Sequence, residues 1–173
     1  MIILETERLY FCKTTADDAP FILEILNSPT YLRYIGDRGV RTLDDARAYI
    51  EERFTAVYQR QNYGFYTAKL KSNDQPIGTF GVIKRDNLPD VDIGYALLPK
   101  FIGQGFGFEG ASAIMDYARN TLGFKKLLAI TVEYNHASIK LLEKLGFEYE
   151  RTVRLPDDPE ELMLFGHAQP LEE

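Results

Sequence analysis

Three glycines at alternate positions, Gly103, Gly105 and Gly107, follow an apolar run, Asp92-Ile-Gly-Tyr-Ala-Leu-Leu98, and open a helical pattern. Lacking Cβ atoms, they let the backbone approach a ligand closely. Successive N–H groups can then converge on it with the positive end of a helix dipole behind them. The chemistry this suits is anion binding, and a pyrophosphate fits in size and charge. The cradle is read as Gly103, Gln104, Gly105, Phe106, Gly107 and Phe108. A tight strand-to-helix connection without a ligand would use the same residues, so the rest of the chain has to decide.

The elements that must position this cradle are legible in outline. Leu9 to Lys13 reads as a first strand, and Asp17-Asp18 caps a short helix through Phe21, Ile22, Ile25 and Leu26, closed by Asn27-Ser-Pro29. Tyr31 to Arg41 reads as an aromatic loop. Thr42 with Asp45 resembles a capping box for a second helix, running through Ala46, Ile50, Phe54 and Val57 to about Arg60. Gly64 to Leu70 and Ile77 to Ile83 form a hairpin around Lys71-Ser-Asn-Asp-Gln75, and the strand Val91 to Leu98 leads into the glycines.

Beyond the glycines, Phe108, Ala111, Ile114, Met115, Ala118 and Leu122 line one face of a helix that Gly123 ends, and Leu127 to Val132 is the next strand. A strand, a helix and a strand make a crossover unit, so the two strands should be parallel neighbours with their C-terminal ends together. Asn135 caps a last helix carrying Leu141, Leu142 and Leu145. Phe147 to Val153 and Glu161 to Phe165 finish as strands.

Composition narrows the functions available. At 173 residues, 45% hydrophobic and 27% charged, the chain suits one globular domain over 1–173. A net charge of −6 argues against nucleic acid and anionic membrane as partners and suits a cationic or amine-bearing one. Cys12 is the sole cysteine, which excludes an internal disulfide, and with two histidines no zinc-like ligand spacing arises. No metal is therefore expected, and a reducing cytoplasm is the expected location. No apolar run approaches the ~20 residues of a membrane span.

Gly105, Gly107 and Gly110 match a dinucleotide fingerprint, but the further strand–helix units of that fold do not follow, and the Gly-Lys-Ser/Thr of a phosphate-binding P-loop is missing. Four segments in order resemble instead the GNAT superfamily of N-acetyltransferases. They are Thr6-Glu-Arg-Leu9, Ile93-Gly-Tyr-Ala-Leu-Leu-Pro99, Gly103-Gln-Gly-Phe-Gly107, and Asn135-His-Ala-Ser138 through Leu145-Gly-Phe147. Within it the pattern is most similar to the Rim-type branch, notably the ribosomal-protein alanine acetyltransferases. The resemblance implies an α/β fold with a mixed, mostly antiparallel sheet of six to seven strands and about four helices. In it a parallel strand pair splays to admit acetyl-CoA.

The resemblance also assigns roles. Backbone groups of Ala96, Leu97 and Leu98 would hold the pantetheine and polarise the thioester, and Asn135 would contact the pantetheine amides. Leu142 stands where many members carry a tyrosine that protonates the departing thiolate; Ser138, on the inward helix face, resembles the serine that Rim-type enzymes place by the sulfur. Ile102 replaces a Gln or Arg that usually opens the phosphate loop.

Glu133, at the C-terminal end of its strand, is a candidate base for the amine, and Asp92 is the second. A solvated charge is the alternative for each. Tyr31, Tyr34 and Asp37 would form the acceptor wall. The implied reaction is direct attack of a primary amine, such as a protein N-terminal amine, on acetyl-CoA by a monomer or homodimer. A non-catalytic acyl-CoA-binding module is the alternative.

Overall fold

The computed structural model describes residues 1–168. Its strands are β1 (Ile2–Glu5), β2 (Leu9–Lys13), β3 (Phe65–Leu70), β4 (Pro76–Ile83), β5 (Asp92–Leu97), β6 (Lys126–Thr131), β7 (Glu148–Val153) and β8 (Leu162–Ala168). They form one sheet in the order β1-β2-β3-β4-β5-β6-β8-β7, antiparallel throughout except for β5 and β6. The expected mixed sheet therefore has eight strands rather than six or seven. The unforeseen strand is β1, a four-residue edge strand whose pairing with β2 slips between Ile2 and Leu4. It is too short to display a periodic signal.

The helices are α1 (Ala19–Leu26), α2 (Pro29–Tyr34), α3 (Leu43–Ile50), α4 (Ala56–Gln61), α5 (Phe106–Asn120) and α6 (His136–Lys144), and a π-helical turn over Glu51–Thr55 fuses α3 and α4 into one body. Among the described residues five α-helical bodies thus stand where about four were expected. The addition is α2, within the segment read as a loop. Pro29 does not close α1; it opens α2 behind an extended Ser28, in the first turn where a missing N–H costs little. Thr42 caps α3 as its spacing predicts, accepting from the Asp45 N–H at 3.0 Å.

The crossover from β5 through α5 to β6 sets the site. Ala111, Ile114, Met115 and Ala118 bury one face of α5. Gly110 sits where a Cβ would come 2.4 Å from the Phe80 ring, so its glycine lets the helix settle directly on the sheet. Strand β6 is buried on both faces, as a parallel strand should be. Leu127 and Ala129 join the main core with Phe11, Phe80, Ile114 and Leu142, whereas Leu128 and Val132 join a smaller cluster with Leu88, Leu162 and Leu164.

Candidate active site

Strands β5 and β6 share one register pair, Asp92 with Leu128, and one adjoining bond from the Leu128 N–H to the Val91 carbonyl at 2.8 Å. By contrast β5 pairs with β4 at six positions and β6 with β8 at six. The parallel pair therefore opens beyond Asp92, and backbone groups along the inner edge of β5 lack a strand partner.

Alternation identifies which groups these are. Because the Leu98 N–H donates to the Ile77 carbonyl on β4 at 2.8 Å, even-numbered residues of β5 turn their backbone toward β4. Odd-numbered ones turn theirs toward the gap, as Val91 does. This corrects the trio inferred from the resemblance. The backbones of Ala96 and Leu98 are committed to the sheet, while those of Leu97 and Tyr95 face the gap.

The cradle follows at the end of β5. Gly103 and Gly105 adopt φ of +83° and +85°, the left-handed region that glycine tolerates, and Gly105 is the N-cap of α5 with no side-chain capping bond. At Gly107 a Cβ would lie 3.2 Å from Leu141 Cδ2, so glycine keeps α5 and α6 close. An uncapped start to a helix of this length leaves N–H donors and a positive dipole end aimed outward, which fits a pyrophosphate. Phe106 turns inward as a buried ring, and Phe108 lies outside with the Lys144 ammonium 4.3 Å from its centroid. The Gln104 side chain donates to the Lys100 carbonyl at 2.8 Å.

A residue outside the loop braces it. Arg8 donates to Glu109 Oε1 at 2.7 Å and to the Gln104 carbonyl at 3.1 Å, and its guanidinium lies 4.0 Å above the Phe106 ring. Thr6 adds a 2.6 Å bond to Glu109 Oε2. Burial would push the Glu109 carboxyl up, but the bonds from Thr6 and Arg8 outweigh it and hold the group below the usual range. Glu109 thus stays ionised and is neutralised by Arg8, which keeps a bare negative charge away from the anion cradle.

On the far side of the gap, Asn135 Oδ1 accepts from the Ser138 N–H at 3.2 Å and caps α6. Ser138 Oγ lies 2.9 Å from the Tyr95 hydroxyl. Leu142, one turn on, is 1% exposed and closed off in the core. The hydroxyl pair therefore lies on the α5 face of the sheet, where Tyr95 stacks on Phe80 beneath that helix.

Asp92 is not the solvated strand-end charge that its position suggested. It is 1% exposed, lies 3.1 Å from Arg85 Nε, and faces away from α5 on the same side as Leu128, its parallel partner. Burial pushes its carboxyl up to about 6 against the opposing pull of Arg85. Glu133 lies beyond the end of β6 and is exposed, with no ion pair or side-chain hydrogen bond among the described residues.

The Asp92 side of the gap is edged by α2. Tyr34 packs against the smaller core cluster and meets the Tyr134 ring at 5.9 Å. The Tyr134 hydroxyl reaches Glu160 Oε2 at 2.9 Å and the Arg33 carbonyl at 3.2 Å, joining α2, the β6–α6 connection and the β7–β8 loop. Tyr31 packs on the main core. Asp37 is engaged by Arg41 at 2.5 Å and by the Gly39 N–H, so its charge is already answered. Among the described residues no group of His, Cys, Asp and Glu side chains could hold a metal ion, and no helix is long and apolar enough to cross a membrane.

Arg8, Tyr95 and Tyr134 are candidates that the sequence pattern does not single out. Arg8 and Tyr95 lie inside the motifs that carried the resemblance, and strand alternation could have set Tyr95 on the inner edge. Their partners stand 101 and 43 residues away, which no local pattern reveals.

Comparison with known proteins agrees with this geometry. Residues 8–148 match the Acetyltransferase (GNAT) domain family. The chain is 29% identical over 153 residues, 88% of it and 86% of the relative, to the uncharacterized N-acetyltransferase YoaA of Bacillus subtilis. It is 27% identical over 96 residues, 54% of the chain and 50% of the relative, to the ribosomal protein uS5-alanine N-acetyltransferase of Escherichia coli. The fold superposes with a TM-score of 0.82, at 16% identity and covering 97% of this chain and 98% of the other, on RimL, a ribosomal alpha-N-protein acetyltransferase solved in complex with coenzyme A. With the splayed strands, the glycine cradle and a family match over most of its length, the chain belongs to the GNAT acetyltransferases, enzymes that carry an acetyl group from acetyl-CoA to an amine.

Proposed function

We propose that the acceptor is the α-amine of a protein N-terminus, with ribosomal proteins the first class to test, and that transfer is direct. The observation that carries this reading is the division of the gap: the Tyr95–Ser138 hydroxyls on one face and buried Asp92 on the other. The Leu97 N–H would polarise the thioester carbonyl. Ser138 would meet negative charge growing on sulfur, and Asp92 would receive the proton that the amine must lose.

Of the two carboxylates, Asp92 is better suited than Glu133, because it is buried, held by Arg85 and at the apex of the opening. It lies three residue steps along β5 from Tyr95, about 10 Å, so it would act through bridging water. Its pKa bears on the acceptor. Taking a proton from an α-ammonium, pKa near 8, onto a group at about 6 is uphill by roughly 3 kcal/mol, against roughly 6 kcal/mol for a lysine-type ammonium near 10.4. An α-amine is therefore the cheaper substrate by about two orders of magnitude. A relative that acetylates a ribosomal-protein alanine supports the same class.

Direct transfer is favoured because Cys12 lies on β2, three strands from β5 and so about 14 Å across the sheet. The test is a thiol-release screen with acetyl-CoA, comparing peptides with free N-terminal Ala or Ser against spermidine, lysine peptides and small amines. Turnover concentrated on peptide α-amines is expected. Preference for polyamines or lysine side chains would overturn the acceptor, and coenzyme binding with no turnover across the panel would favour the acyl-CoA-binding alternative.

A further inference from the structure

We propose that Tyr95 is a positioning residue for the departing sulfur: its phenol donates to Ser138 Oγ and so turns the serine's own hydrogen into the β5–β6 gap. The inference rests on the role given to Ser138 above. Two hydroxyls 2.9 Å apart can point either way, and chemistry chooses. A phenol is the stronger acid and the better donor. If the serine donated instead, the half-buried Tyr95 hydrogen would have no acceptor among the described residues and the sulfur would face a lone pair.

Both ends of the pair are fixed. The Tyr95 ring stacks on Phe80 at 6.2 Å, and Phe80 meets Phe11 edge-on at 5.6 Å. Ser138 is pinned by its N–H bond to Asn135. A serine in a helix can otherwise bond back to a carbonyl one turn earlier, and accepting from Tyr95 counters that distraction. No other side-chain donor is placed there in the next turn, because Leu142 occupies it.

The pair stabilises charge and does not deliver a proton. Burial pushes the Tyr95 phenol up to about 12, so it holds its proton roughly three thousandfold more tightly than a thiol of ordinary pKa near 8.5. In the transfer the amine nitrogen bonds to the carbonyl carbon and the C–S bond breaks with its electron pair on sulfur. The amine's proton leaves toward Asp92 through water. The thiolate departs hydrogen-bonded to Ser138 and takes its proton from solvent.

The experiment compares Tyr95→Phe, Ser138→Ala and the double variant in the full chain, using acetyl-CoA and a peptide with a free N-terminal alanine. Single-turnover transfer rates, coenzyme Kd and melting temperature are recorded. Tyr95→Phe keeps the stacked ring, so coenzyme Kd should stay within about twofold while the rate falls about tenfold, the scale of one hydrogen bond. The double variant should be no slower than Ser138→Ala, because the tyrosine acts through the serine. Losses that multiply in the double variant, or a Tyr95→Phe rate equal to wild type beside a slow Ser138→Ala, would overturn the Tyr95 assignment alone. A Ser138→Ala enzyme as fast as wild type would remove the serine reading itself.

Discussion

The two faces of the β5–β6 gap are built from different materials. On the proposed coenzyme face the candidate binding groups are mainly backbone: the inner edge of β5 and the bare start of α5, shaped by Gly103, Gly105 and Gly107. On the proposed acceptor face they are side chains from scattered segments, with Asp92 and Arg85 flanking one turn, Tyr34 on α2, Tyr134 after β6 and Glu160 before β8. A backbone site tolerates change in side chains but not in chain geometry. A side-chain site can be retuned residue by residue, and specificity is the natural thing to place there.

The largest effect should come from breaking the backbone site. Gly105→Val imposes a β-branched residue at φ +85° and presses on Arg8, so coenzyme affinity should fall at least about a hundredfold while melting still shows a folded protein. Titration calorimetry with acetyl-CoA decides it. A folded variant with wild-type affinity would show that the glycines serve the turn alone.

Next is the charged centre of the acceptor face. Asp92→Asn should lower kcat/KM for a peptide amine by about ten- to a hundredfold at pH 7 and erase the rise in rate expected of wild type through about pH 6. Glu133→Gln should leave both nearly unchanged, and the reverse outcome would exchange their roles. Stability gives an independent sign. Because burial raises the Asp92 pKa above its unfolded value, its contribution is most favourable below about pH 4 and is lost as pH rises through about 6. Wild type should therefore lose melting temperature relative to Asp92→Asn across that window.

A smaller loss is expected from the brace. Arg8→Ala releases Glu109 and the Gln104 carbonyl together, and coenzyme Kd should rise about tenfold, with the rate at saturating coenzyme almost unchanged. Smallest is Tyr134→Phe. It keeps the ring against Tyr34 but frees α2 from the β7–β8 loop, so the acceptor KM should rise a few-fold while coenzyme affinity holds. If Tyr134→Phe weakened coenzyme as much as acceptor, the two faces would not be separable as described.

This division also explains which features are legible in the sequence. Gly103, Gly105 and Gly107 announce a backbone site because glycine marks places where chain geometry is the requirement. The crossover around α5 follows from one switch of period between strand and helix. Asp92 reads as a strand-end charge, since nothing local says that Arg85 and the loop before β5 fold over it. Pro29 reads as a stop because proline punctuates helices at either end, and only the extended Ser28 before it reveals a start. Tyr95 sits in plain view within a motif, yet its meaning depends on a serine arriving from another helix.

The contact between Arg8 and Glu109 bears on whether the coenzyme loop is portable. It joins residues 101 positions apart, and through β2 it anchors the loop to the far side of the sheet from β6. Gly103 to Phe108 transplanted onto another strand and helix would carry the donors but neither the cation over Phe106 nor the neutralised Glu109. On the proposed assignment coenzyme affinity would be distributed across the molecule, and an engineer who wished to move it would have to take the opening hairpin as well as the loop.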